Sequence, residues 1–304
     1  YVKGFRAIKP NEIKAIVDSM LEKEHKAILK DKHYISTTVV LDGIGRIRAN
    51  VFMQRGSYAI NLKTLDKILK TPKELGIPDV VMDLHRAESG LILICGDKSS
   101  GKSTTVTSLI KKISTTRECQ IITIEDPIEY LHEHSLAIVN QKEVGIDINS
   151  FQEGIYSAMD QDADVIMINY AGDRETISCT LAAAESGHLV IASLRTVDVV
   201  STIEYILAMF QEERREHMRI VLGNILQGIV CQRLIPGKDG KDSKLALEVM
   251  IANQAMKNLI VENKVHQIPT LIRASRALGM MTMEDSIREL YDRGEIDEKW
   301  LENS

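Results

Sequence analysis

The sequence predicts an α/β fold for most of the chain, with a smaller α+β domain before it. From about Ile77, apolar strand-like runs alternate with helical patterns, which is typical of parallel βαβ units around a covered sheet. Before that point a helical pattern is followed by three strand-like segments. We therefore expect an N-terminal α+β domain at 1–70, a linker at 71–76 and an α/β domain at 77–304.

The first region is expected to begin with a helix and continue as a small sheet. Apolar residues recur at helical spacing from Asn11 to about Leu29. Strands are expected at 34–41, 46–54 and 58–62, and Asp42-Gly43 favours a hairpin between the first two. Pro72 marks the linker, because the residue before a proline disfavours the helical conformation.

The second region contains four apolar runs that are expected to be buried strands, at 91–95, 120–124, 165–168 and 189–193. Helical patterns lie between them at 103–113, 151–159 and 175–186. Turn-forming residues at 237–242 separate two apolar segments and predict a hairpin within 234–250. The remaining residues, through Leu301, are expected to form short amphipathic helices.

Composition excludes several classes of protein. The 44% hydrophobic content is ordinary, and no apolar run approaches the ~18 residues of a membrane span. The net charge of −5 argues against a general affinity for nucleic acid. Four scattered cysteines without a C-x-x-C pair predict buried, reduced thiols and a cytoplasmic protein. Because the sequence begins at Tyr1 rather than Met, we expect the first domain to be incomplete at its start.

A phosphate-binding loop follows the first buried strand. The stretch from Gly96 to Thr104 fits G-x-x-x-x-G-K-[ST] in full, between an apolar run and a helical pattern. The glycines let backbone N–H groups face a phosphate at the positive end of the following helix. Lys102 is predicted to reach the terminal phosphates and Ser103 to ligate Mg²⁺. The sequence thus predicts ATP and Mg²⁺ as cofactors, bound by Gly96, Asp97, Lys98, Ser99, Ser100, Gly101, Lys102, Ser103 and Thr104.

An acidic segment follows the second strand. Glu125, Asp126 and Glu129 lie just past residues 120–124, where an α/β nucleotide site collects polar residues. On its own such a cluster is typical of a solvated loop. Beside a Mg-nucleotide, carboxylates hold the water of the metal and orient the attacking water. We therefore predict a catalytic role for Glu125, beside Lys102, and an indirect Mg²⁺ contact for Asp126.

These motifs resemble those of the secretion-ATPase superfamily of type II and type IV pilus systems, and most closely the PilT-type retraction ATPases. The resemblance covers nearly the whole chain and is carried by residues 46–52, 122–130, 181–190 and 255–260. The last segment, Ala-Met-Lys-Asn-Leu-Ile, resembles the AIRNLI motif that is associated with retraction. The sequence lacks the four-cysteine zinc element of the extension and type II secretion branches.

The resemblance implies a RecA-like P-loop NTPase domain, a PAS-like N-terminal domain and a hexameric ring with nucleotide between the two domains. It implies that Glu129 is the general base and that Arg55, Lys63 and Arg233 contact nucleotide phosphates. Lys63 departs from the family's arginine and lacks its bidentate fork. The implied partners are further copies of the chain, the inner-membrane platform protein of the pilus and a homologous active motor, without nucleic acid. The implied location is the cytoplasm, at the inner face of the cytoplasmic membrane, reached through partners.

The sequence departs from the family pattern at the site itself. Where the family has Gly-Glu-Met-Arg-Asp at its Walker B strand, residues 169–173 read Asn-Tyr-Ala-Gly-Asp. Tyr170 thus replaces the glutamate associated with Mg²⁺, and Gly172 replaces the arginine. Arg195 replaces the histidine of a His-Thr pair, while His188 is retained.

Three hypotheses about function follow. In the first, the protein is a slow ATPase in which Glu129, Lys102 and Ser103 suffice for hydrolysis. In the second, it is a regulatory or structural paralogue that binds nucleotide and modulates an active motor. Loss of one oriented polar group commonly costs ~10²–10³ in rate, and three altered groups favour severe impairment. A nucleic-acid-translocating RecA-like motor is a third alternative, which the acidic charge and the C-terminal motif disfavour.

Overall fold

Two β-sheets organise the part of the chain that the computed structural model describes, residues 6–65, 69–240 and 242–301. Within residues 6–65, two helices pack against an antiparallel sheet of order β1-β2-β3. These elements are α1 (Pro10–Met20), α2 (Lys23–Lys32), β1 (Tyr34–Leu41), β2 (Gly45–Gln54) and β3 (Ser57–Thr64). The tight turn between β1 and β2 contains Gly43 at φ +76°, as the predicted hairpin requires.

The sequence predicts a single N-terminal helix. This prediction is wrong in one respect, because the helix is interrupted between α1 and α2. The backbone of Leu21 is extended (φ −94°, ψ 135°), and its side chain is buried with Val17 and Met20. The helix is thus interrupted where Leu21 is buried in the small core. The apolar spacing of residues 11–29 does not reveal this interruption.

The alternation along β2 fixes the direction of two arginines. Ile47, Ala49 and Val51 are buried in the core beneath the sheet. Because successive residues of a strand point to opposite faces, Arg46 and Arg48 project from the other face. This face is turned toward the second part of the chain.

The second sheet, formed within residues 69–240 and 242–301, has the strand order β10-β9-β4-β8-β7-β5-β6. Neighbouring strands are parallel except for the edge pair of β9 and β10. The strands are β4 (Gly90–Cys95), β5 (Gln120–Glu125), β6 (Ile138–Glu143), β7 (Val165–Ile168), β8 (Leu189–Leu194), β9 (Leu226–Pro236) and β10 (Ser243–Ile251).

Helices cover both faces of this sheet, where two large apolar cores lie. They are α3 (Pro72–Leu75), α4 (Asp79–Met82), α5 (Lys102–Thr116), α6 (Phe151–Asp160), α7 (Arg174–Glu185), α8 (Val199–Ala208), α9 (Glu212–Ile225), α10 (Gln254–Val261), α11 (Ile268–Ala274) and α12 (Met283–Asp292). Within the expected linker, α3 is a one-turn helix. Thr71 is its extended N-cap, and its hydroxyl accepts from the Glu74 amide at 3.3 Å.

The predicted α/β fold with a preceding α+β unit is confirmed, including the four buried strands and the C-terminal hairpin. Lys241, in the turn of this hairpin, lies outside the described residues. The sequence did not predict β6, in which Val139 is the one buried residue. It also did not predict the first half of β9, because apolar residues run without a breaker from Ile225, which ends α9, into Leu226. Across the described ranges, no helix combines the length and the apolarity needed to cross a membrane.

Candidate nucleotide-binding site

The predicted site residues that follow β4, β5, β7 and β8 converge, because these four parallel strands end at the same edge of the large sheet. The phosphate loop follows β4, the acidic segment follows β5, Asn169 and Tyr170 follow β7, and Arg195 follows β8. Strand register aligns Cys95 with Leu194, the last residues of β4 and β8. This is the edge at which open α/β sheets bind ligands.

The phosphate loop has little room for side chains at its first glycine. Gly96 has φ +140°, and a Cβ added there would lie 2.3 Å from the carbonyl oxygen of Gln232. Gln232, on the neighbouring β9, also donates from Nε2 to the carbonyl of Ser100 at 2.8 Å. The hydroxyl of Ser100 is buried and has no hydrogen-bond partner among the described residues. The sequence offered no signal for Gln232, which anchors the loop from β9.

The Lys102 ammonium group lies over this loop. Its Nζ donates to the carbonyl oxygens of Gly96 and Asp97, each at 2.6 Å. Burial lowers the pKa of Lys102, and the nearby charge of Arg195 lowers it further. The lysine thus folds back over its own loop, and its contact with a phosphate stays a prediction.

The residues present fit a Mg²⁺ ion held mainly through water. Ser103 is exposed in the first turn of α5, and the buried Oδ1 of Asn169 has no partner among the described residues. In the same ranges no group of three or more His, Cys, Asp or Glu residues is placed to hold a metal. Partial burial raises the pKa of Asp126, although part of this residue is exposed at the surface. Mg²⁺ usually keeps several waters beside one or two protein ligands and phosphates, which this sparse set allows.

Glu125 lies inside the protein. It is 5% exposed, and its Oε1 accepts from the Thr123 hydroxyl at 2.7 Å and from Gln141 Nε2 at 2.9 Å. Burial raises its pKa to about 7. Glu125 is therefore the buried member of the acidic segment. Its catalytic role stays a prediction.

We expect Glu125→Gln to stabilise the protein at alkaline pH. In wild type the pKa rises from 4.5 when unfolded to about 7 when folded, so stability is lost as pH rises through this window. At pH 8 the variant should gain about 1–3 kcal/mol of unfolding free energy, and at pH 4 the gain should vanish. Denaturant unfolding at both pH values measures this, with the exposed Glu133→Gln in the same segment as control. An equal gain at both pH values would contradict the assignment.

Glu129 is paired with the N-terminal sheet. Arg48 Nη1 lies 2.7 Å from Glu129 Oε1, and the side chain of Glu129 is 18% exposed. Arg46 donates to the carbonyl oxygens of Ile128 and Glu129 at 3.0 and 3.1 Å. Sequence reasoning missed these contacts, although the alternation of β2 places both arginines on one face. The proposed general base is thus held between the two sheets.

Of the three predicted phosphate-contacting cations, two belong to the N-terminal sheet and its turn, and one lies on β9. Arg55 is exposed in the turn between β2 and β3 with φ +49°, and Lys63 is exposed on β3. The guanidinium of Arg233 lies 5.3 Å from the centre of the Trp300 ring. Their contacts to phosphate stay predictions.

Three of the positions that depart from the family pattern meet at the Tyr170 ring. The Arg195 guanidinium carbon lies 4.4 Å from the centre of the Tyr170 ring. A Cβ added to Gly172 would lie 2.1 Å from that ring. His188 lies elsewhere, with Nδ1 2.7 Å from the carbonyl of Ala163, as expected of a packing residue.

The chain is similar to known proteins over most of its length. The model of the family described as type II/IV secretion system protein matches residues 56–302. A twitching motility protein of Neisseria gonorrhoeae is 33% identical over 94% of this chain and 76% of its own length. The type IV pilus retraction ATPase PilT of Pseudomonas aeruginosa is 36% identical over 92% of this chain and 81% of its own length.

A solved structure agrees in both fold and sequence. The crystal structure of the pilus retraction motor PilT with bound ADP superposes with a TM-score of 0.89 at 40% identity, covering 98% of this chain and 85% of that one. The family match spans both the phosphate loop and the acidic segment. The chain therefore belongs to the type II/IV secretion system protein family, as a PilT-like member of its ATPases.

Proposed function

We propose that this protein is an ATP-binding motor-family protein of a type IV pilus system, associated with pilus retraction and twitching motility. One observation carries the proposal: Lys102 lies over a complete phosphate loop, with its ammonium group on the Gly96 and Asp97 carbonyls. The similarity to PilT, including a PilT structure with bound ADP, supports it.

The residues of the chain divide the work of binding and hydrolysis. The backbone N–H groups of residues 96–104 cradle the phosphates, and Lys102 exchanges its carbonyl contacts for phosphate oxygens. Ser103, with Asn169 and Asp126 through water, would hold Mg²⁺, which neutralises charge on the phosphate oxygens when bound. Glu129 accepts a proton from the attacking water, once Arg48 releases or reorients it.

Hydrolysis is proposed to be slow. A tyrosine at position 170 provides no carboxylate to hold a metal-bound water, and Asn169 is a neutral substitute. Electrostatic groups aimed at a transition state are worth ~10²–10³ in rate each. The same observation favours a second candidate function, a regulatory or structural paralogue that binds ATP and modulates an active pilus motor.

Assembly into a homohexameric ring is part of the proposal. Arg55 and Lys63 are exposed on the N-terminal sheet, where they are available to nucleotide bound by a neighbouring copy. The other proposed partners are the pilus inner-membrane platform protein and a homologous active motor. Such partners would hold the ring at the cytoplasmic face of the inner membrane.

We expect the purified protein to form hexamers at micromolar concentration, more completely with ATP and Mg²⁺ and less completely at high salt. Exposed charges, such as residues 212–214 and 216 at the start of α9, are screened over ~10 Å at 0.1 M ionic strength. Light scattering at two salt concentrations measures the mass. Monomers under all of these conditions would contradict the ring architecture.

A further inference from the structure

The ring of Tyr170 occupies the space that a side chain at position 172, such as the family's arginine, would need. The ring of Tyr170 covers Gly172, and a Cβ at Gly172 would lie 2.1–2.3 Å from three ring atoms. Tyr205 donates from its hydroxyl to the carbonyl of Gly172 at 2.9 Å, which fixes this backbone. Gly172 is therefore a condition for the position of the Tyr170 ring.

The Tyr170 ring in turn positions Arg195. The guanidinium carbon lies 4.4 Å from the ring centre, within the distance at which a cation is attracted to an aromatic face. Arg195 makes no ion pair with a carboxylate among the described residues. Its side chain is exposed, so its N–H donors remain open to a ligand.

Strand register places this arginine beside the phosphate loop. Cys95 pairs with Leu194 on the neighbouring parallel strand, so the next residues, Gly96 and Arg195, leave the sheet side by side. The charge of Arg195 reaches Lys102, whose pKa is lowered first by burial and then by this arginine. The two cations thus lie close enough to repel each other, and an anion bound between them would relieve this repulsion.

We propose that Arg195, positioned by the ring of Tyr170, binds the terminal phosphate of the nucleotide and makes this site prefer nucleoside triphosphate over diphosphate. This inference rests on the proposed ATP-binding function. In this proposal the three residues Tyr170, Gly172 and Arg195 act as one unit. The guanidinium of Arg195 supplies positive charge to the phosphates, in place of charge from the metal that the family's carboxylate helps to hold. Arg195 is a specificity-determining residue, and Tyr170 is a positioning residue that acts through it.

Titration with a fluorescent non-hydrolysable ATP analogue and with fluorescent ADP tests this proposal. Arg195→Ala should weaken binding of the ATP analogue by ~10–100-fold, the range for a lost charge-assisted contact, and of ADP by less than ~3-fold. Arg195→Lys should retain part of the preference. Tyr170→Phe should bind as wild type, whereas Tyr170→Leu should weaken the ATP analogue by ~2–5-fold. The double variant Tyr170→Leu/Arg195→Ala should match Arg195→Ala, because Tyr170 acts through Arg195.

The controls separate this inference from the proposed function. Arg288→Ala removes an equal charge from the exposed face of α12 and should change neither affinity. Thermal melting of each variant identifies loss of fold. Arg195→Gln provides a second variant, which removes the charge but keeps a longer polar side chain than alanine. Suppose that wild type binds ATP, but Arg195→Ala and Arg195→Gln either weaken the affinities for ATP and ADP equally or change neither affinity. The inference is then wrong and the proposed function stands. If wild type binds no nucleotide, the proposed function itself fails.

Discussion

Lys102→Ala is expected to weaken ATP binding about 100-fold, since one charge-assisted contact to phosphate contributes up to about 3 kcal/mol. The ammonium group lies on the carbonyls of Gly96 and Asp97, so it needs no large movement to reach a phosphate above the loop. Both ATP and ADP should lose affinity, because lysine at this position contacts more than the terminal phosphate. This pattern distinguishes Lys102→Ala from Arg195→Ala, which should weaken ATP binding much more than ADP binding.

Isothermal calorimetry with ATP and Mg²⁺ measures this effect. The matched control is Lys111→Ala, which removes an exposed lysine from the same helix, α5, about two turns beyond the loop. The control should bind as wild type. Equal affinity of wild type and Lys102→Ala would show that nucleotide does not bind at this loop.

The second large effect is expected from restoring the family residues together, as Tyr170→Glu, Gly172→Arg and Arg195→His. Turnover of ATP should rise by ~10²-fold or more, because a carboxylate at the end of β7 would hold a metal-bound water. The three changes must be combined. An arginine at 172 has no room beside the Tyr170 ring, and a single Tyr170→Glu leaves Arg195 beside a new carboxylate. ATP affinity with Mg²⁺ should stay within about 3-fold of wild type, since the metal contact replaces the one lost with Arg195.

The gain should depend on Glu129, because a restored metal ligand cannot take the proton of the attacking water. Adding Glu129→Gln to the triple variant should therefore return turnover to the wild-type level or below. Phosphate release under saturating ATP measures the turnover of wild type, of the triple variant and of the triple variant with Glu129→Gln. A triple variant that binds ATP and assembles but remains inert would place the defect elsewhere.

Much of the site could be predicted from the sequence because its residues follow buried strands. Lys102, Ser103 and the acidic segment each stand directly after an apolar run, and parallel strands bring their carboxyl ends to one edge. Strand order did not need to be known for this inference. The local pattern of the phosphate loop was also complete in itself.

The rest depends on contacts between distant segments, which local patterns do not encode. Arg48 and Glu129 are 81 residues apart and meet because the N-terminal sheet packs on the acidic segment. The pairing of Tyr170 with Arg195 required the register of β7 and β8. In sequence these two residues are separate departures from a family pattern; in the structure they form one unit. Burial of Glu125 was similarly hidden, because the Thr123 and Gln141 contacts that accompany it come from β5 and β6.

The steady-state rate of ATP hydrolysis by the wild-type protein, measured with Mg²⁺ on hexamers that are shown to bind ATP, tests the central claim most directly. We expect tight nucleotide binding with turnover well below about 1 s⁻¹, the lower end of ordinary enzyme rates. Turnover at or above about 1 s⁻¹ in the same preparation would contradict the claim that Tyr170, Gly172 and Arg195 make this a nucleotide-binding member with impaired hydrolysis.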